Sequence, residues 1–106
     1  MRARFMRVIV FFDLPVLTKA DMRNYRKFRK YLISQGFVMM QKSVYSKITL
    51  NGSSSKTVIS NVKKNKPPAG ILQILTVTEK QYQSIEYILG QNQSEVLDTV
   101  DRVVMI

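Results

Sequence analysis

The sequence predicts an α+β sandwich, an antiparallel sheet with two helices covering one of its faces. Three observations carry this reading. A β-branched and aromatic run from Phe5 to Leu14 reads as a strand. Two capped segments with helical period follow, each with one apolar stripe. After the second of them "GILQILTV", residues 70–77, returns as another apolar strand.

Along the first strand, Met6, Val8, Val10, Phe12 and Leu14 share a wholly apolar face, while Arg7, Ile9, Phe11 and Asp13 share the other. Thr18 with Asp21 three residues later makes a capping-box start, and the helix is expected to run to about Gln35, with Gly36 as its left-handed stop. Met22, Tyr25, Phe28 and Leu32 form its apolar stripe. Arg23, Lys27 and Lys30, with Arg26 beside them, fall on the opposite side. "FVMMQKSVYSKITL", residues 37–50, is extended, as one bent strand or two short ones, with Val44, Ile48 and Leu50 alternating against Ser43, Tyr45, Lys47 and Thr49. "NGSSS" supplies a turn and helix-capping serines. The second helix turns Val58, Ile59 and Val62 inward and Lys56, Lys63, Lys64 and Lys66 outward, and Pro67–Pro68 cannot continue it.

Residues 78–83 read as one helical turn, "SIEYILG" as a further strand, "QNQS" as a linker and "DRVVMI" as a terminal β-rich hexamer. The order strand, helix, strands, helix, strand suits the ferredoxin-like β-α-β-β-α-β sandwich. Residues 1–90 form that domain, and residues 91–106 a linker and an extra strand. The apolar face of the first strand must meet the helices, which leaves Asp13, Ile9 and Phe11 on the open face. An apolar patch there suits a second protomer, with two Asp13 side chains near each other across a two-fold axis.

The chain of 106 residues has room for one domain with a modest core. It contains no cysteine and no histidine, which excludes thiolate chemistry, disulfides and the usual general base. No apolar run approaches a membrane span and the first residues lack a signal-peptide cleavage pattern, so a cytoplasmic protein is expected. Seventeen Lys/Arg stand against seven Asp/Glu, a net charge of +10. Residues 1–66 hold fifteen of the cations and two of the acids, so one part of the surface suits a polyanion. Nucleic acid fits better than a membrane surface, because no segment reads as a basic amphipathic helix with a broad apolar face.

"VIVFFDLP", "YRKFRKYLISQGF", "QKSVYSK", "ILTVTEKQY" and the terminal "RVVMI", in this order, resemble the CRISPR-associated protein two family, and its type II system members most closely. The resemblance spans essentially the whole chain. It implies a homodimer whose C-terminal strand, here Arg102, Val103, Val104 and Met105 with Ile106, extends the partner's sheet. Beside that strand, Ile9 and Phe11 are the expected interface residues. It also implies a role in bridging dimers of the integrase, CRISPR-associated protein one, while a double-stranded DNA segment is joined into the CRISPR array. A tail that some members carry beyond the last strand has no counterpart here, and no contact through one is expected. Asp13 corresponds to the family's proposed magnesium ligand and catalytic residue.

Each site has a plainer reading. Asp13 at a strand end can accept hydrogen bonds from the turn before Thr18. As a Mg2+ site, an Asp13 pair is sparse, since phosphodiester cleavage uses several oxygen ligands. Arg23, Arg26, Lys27 and Lys30 can form a solvated helix face, yet they lack compensating acids four residues away except Asp21, which favours phosphate binding. Lys56, Lys63, Lys64 and Lys66, with Arg2, Arg4 and Arg7, extend the basic surface. Tyr45 is available for base stacking and Tyr25 for the core. Three functions follow: a non-catalytic DNA-binding scaffold, a magnesium-dependent endonuclease built on the Asp13 pair, and a generic basic RNA-binding module. Open-sheet RNA readers carry paired strand aromatics that this sequence lacks.

Overall fold

A computed structural model describes residues 4–90. β1 (Met6–Asp13), α1 (Lys19–Ser34), β2 (Val38–Gln41), β3 (Val44–Thr49), α2 (Gly52–Lys64), β4 (Ile71–Thr78) and the short α3 (Glu79–Gln83) follow in that order. The sheet is antiparallel with strand order β2-β3-β1-β4, so the first strand lies at its centre. This is the ferredoxin-like arrangement expected from the element order.

Alternation in β1 sets the layers. Val8 and Val10 are fully buried and Phe12 and Leu14 nearly so, packing with Phe28 and Leu32 of α1 and Val62 of α2. Phe12 anchors an aromatic group, edge-on to Phe28 at 5.3 Å and to Tyr25 at 5.9 Å, and stacked on Tyr45 at 5.7 Å. The first helix starts as read, while the second is capped by Asn51 and not by the serines expected to cap it. Thr18 and Asp21 form the reciprocal capping box, and Asn51 accepts from the Ser54 backbone N–H. Gly36, at φ +92°, ends α1.

One reading left open is settled and four are corrected. Residues 37–50 form two strands joined at Lys42–Ser43, with Ser43 at φ +67° and a register shift between Met39 and Gln41. The pairing Val10↔Tyr45 turns Tyr45 to the helix side of β3, where it is buried, and leaves Ile48 and Leu50 exposed. Its hydroxyl accepts from Arg29 Nε at 2.9 Å, so a ring expected to stack on bases belongs to the core. Among the described residues β4 pairs with β1 alone, at the edge of the sheet, and none of its residues is fully buried. Met22 lies outside the core, in the solvent-exposed first turn of α1. Ser84–Gly90 forms no strand, because it pairs with no strand among the described residues. The linker 91–94 and the expected exchanged strand, Arg102 to Ile106, lie outside the described residues, as does Arg2.

Candidate nucleic-acid interface and the Asp13 carboxylate

Helical geometry places four cations together. At 3.6 residues per turn, Arg23, Arg26, Lys27 and Lys30 fall within an arc of about 100° on α1, and all four are exposed. Three of the other cations are taken up by partners within the protein. Arg7 is paired with Glu79, Arg29 donates to Tyr45, and Lys47 donates to the Gln35 carbonyl at the C-terminal end of α1. The α1 four, with Lys56, Lys63, Lys64 and Lys66, make no hydrogen bond or ion pair among the described residues. The free charge is therefore concentrated on the helix layer.

Asp13 sits elsewhere. The register Asp13↔Ile71 and the alternation of β1 put it on the sheet face away from the helices, exposed at the strand end. It does not cap the turn: the Thr18 N–H goes to Asp21 Oδ2 at 3.1 Å. Its backbone is held tightly instead. A Cβ built on Gly70, at φ +102°, would lie 2.6 Å from the Asp13 carbonyl oxygen and 2.8 Å from Leu14 Cδ2. Only glycine allows the loop before β4 to close on the end of β1.

The described residues of one protomer do not gather a set of magnesium ligands around Asp13. Among the described residues no group of three or more His, Cys, Asp or Glu side chains converges, and Asp21 is engaged in its cap. Among the described residues Asp13 is the one carboxylate at this strand end, and a second copy would bring another. Asp13 and the α1 cations are on opposite sides of the sheet, and one chain does not combine them into a single site.

The open face carries Ile9, Phe11, Ile71 and Leu75. Ile9 is already buried within the protomer, Phe11 is half-buried, and Ile71 and Leu75 are exposed. Part of the cover comes from α3, a helical turn expected from the sequence whose packing on this face was not. Tyr82 is buried, with the Arg7 guanidinium 4.0 Å above its ring. Arg7 also grips Glu79 with two bonds, Nε to Oε1 at 2.9 Å and Nη2 to Oε2 at 2.8 Å. The Arg7 hydrogen bond, with a smaller one from Gln83, holds the Glu79 carboxyl below the usual carboxylate range, against the opposing effect of burial. Beyond α3, residues 85–90 line a groove with Met40 and Gln41 of β2. The available signal was that Glu79 is the first acid after Asp21 in a basic chain.

A family model described as CRISPR associated protein Cas2 matches residues 6–85. The chain belongs to the Cas2 family. This Cas2-family chain is 54% identical over 101 residues to a protein of Treponema denticola named CRISPR-associated endoribonuclease Cas2, covering 95% of this chain and all of the relative. Proteins of the same name from Lacticaseibacillus rhamnosus and Streptococcus mutans are 45% and 43% identical, each over 95% of this chain and over 100% and 93% of the relative. The family expected from the sequence motifs is the one found. No helix among the described residues is long and apolar enough to cross a membrane.

Proposed function

We propose that this chain is a homodimeric, double-stranded-DNA-binding scaffold of CRISPR adaptation, bridging dimers of CRISPR-associated protein one while new spacers are integrated. The observation that carries the reading is the set of α1 cations with no partner among the described residues, in a chain of the Cas2 family. Unpartnered Lys and Arg on one helix face repel each other, and a DNA backbone removes that repulsion without reading sequence. Exposed Ile71 and Leu75 on the open face support pairing with a second copy. The deciding experiment is an integration assay with the partner integrase. Reversing Arg23, Arg26, Lys27 and Lys30 to glutamate is expected to abolish integration, while Asp13→Ala leaves it intact. Full integration by the reversed variant would sink the scaffold reading.

The relatives' name, endoribonuclease, favours a second reading that we propose beside the first, a magnesium-dependent endonuclease on RNA or DNA that uses an Asp13 pair across the dimer. Asp13 suits it in being exposed and bound to no other described side chain. Incubation of RNA and DNA with Mg2+ or Mn2+ tests it, wild type against Asp13→Ala. Cleavage lost in the variant supports the second reading, and equal cleavage by both proteins removes it.

A further inference from the structure

A second cationic feature lies between the helices. Where the chain leaving α2 meets the middle of α1, a groove of about 180 Å³ opens. Lys27 of α1 and Lys64 and Lys66 at the end of α2 line it together, and no carboxylate does. Phe28, only 2% exposed, and Pro67–Pro68 give it apolar, inflexible walls. Asn24 and Asn65 complete the lining. The Asn65 amide nitrogen is turned back to the Asn61 carbonyl at 2.9 Å, which leaves the three lysines as the cationic part of the lining.

Two considerations identify what fits. The groove is smaller than the roughly 300–1,000 Å³ of pockets for drug-sized ligands, so a whole nucleoside does not enter. Three ammonium groups round one concavity repel each other, and an anion with several acceptor oxygens relieves all three. The carbonyls at the end of α2 account for Lys63 and Lys64 there, but not for Lys27 or Lys66. We infer that this groove is a phosphodiester notch, taking one backbone phosphate of a nucleic-acid strand that crosses from the α1 stripe onto the end of α2. The inference rests on the nucleic-acid reading above and adds to it a role for α2, where the sequence indicated only a general basic surface.

The test is fluorescence anisotropy of a short DNA duplex with the full chain, repeated over a series of salt concentrations. Lys64→Gln/Lys66→Gln is compared with wild type and with Lys80→Gln, an exposed lysine of α3 outside the groove. These side chains are exposed, so the melting temperature should be unchanged, which checks the fold. The groove variant is expected to lower the magnitude of the slope of log K against log salt by about 0.9 for each phosphate it no longer neutralises, and Lys80→Gln by less. A slope equal to that of wild type, or a fall no greater than that of Lys80→Gln, overturns the notch while leaving the α1 interface standing. Absence of duplex binding by wild type overturns the nucleic-acid reading itself.

Discussion

Gly70 is the residue on which the candidate carboxylate most depends. Its φ of +102° lies in the left-handed region, and a Cβ there would collide with backbone atoms that cannot swing aside. Gly70→Ala is expected to destabilise the fold by about 2 kcal/mol or more, seen as a lower midpoint in urea unfolding. The same change displaces the end of β1 that presents Asp13. Ser46 has the opposite sense. Its hydroxyl is buried beside Ile9 with no hydrogen-bond partner among the described residues. Ser46→Ala removes an unpaired polar atom, and the midpoint is expected to hold or to rise by up to about 1 kcal/mol in stability. Neither position was legible in the sequence: glycine before a strand reads as any turn, and the alternation that puts Ser46 in step with Val44 and Ile48 does not say which face of the strand is covered.

Among the elements, α3 is the one whose attachment rests on electrostatics. Its five residues are too few to hold themselves helical, and it is fastened by the Thr78–Gln81 capping box, the Arg7–Glu79 pair and the ring of Tyr82. Folding lowers the Glu79 pKa, so folded protein binds that proton less readily than unfolded chain. The resulting stabilisation is present above the ordinary carboxylate value of about 4.3 and is lost as pH falls below it. Glu79→Gln is therefore expected to be less stable than wild type at neutral pH, with the gap closing as the acid limb is entered, in melting curves recorded across that range. At the other end of the sheet, Thr18→Ala removes the α1 cap and is expected to cost about 1 kcal/mol, again by urea midpoint.

For the whole molecule, the sheet separates two surfaces. The helix side carries the unpartnered cations, and the other side carries Asp13 with the exposed apolar residues of β4. A scaffold can use both at once, one for a polyanion and one for a second copy. Sedimentation of the full chain is expected to show a dimer, and a monomer at micromolar concentration would count against the proposed assembly. The dimer should persist in moderate salt, because burial of apolar area is little affected by ionic strength, while duplex binding should weaken steeply.

Much of this was determined by the sequence itself. The period-two pattern of residues 6–14, the cap at Thr18 and the stop at Gly36 are local properties, and they set the strand, the first helix and the side on which Asp13 falls. The charge of +10 with the bare α1 stripe indicated the polyanion surface, and motif order indicated the family. Only the tertiary structure decided the rest. Which face of β3 is buried depends on its register with β1, a long-range pairing that overrode the hydropathy of Ile48 and Leu50 in favour of Tyr45. Which cations are free depends on partners far along the chain, as Arg7 and Glu79 are. And the meeting of Lys27 with Lys64 and Lys66 exists only once α1 and α2 pack on the same sheet.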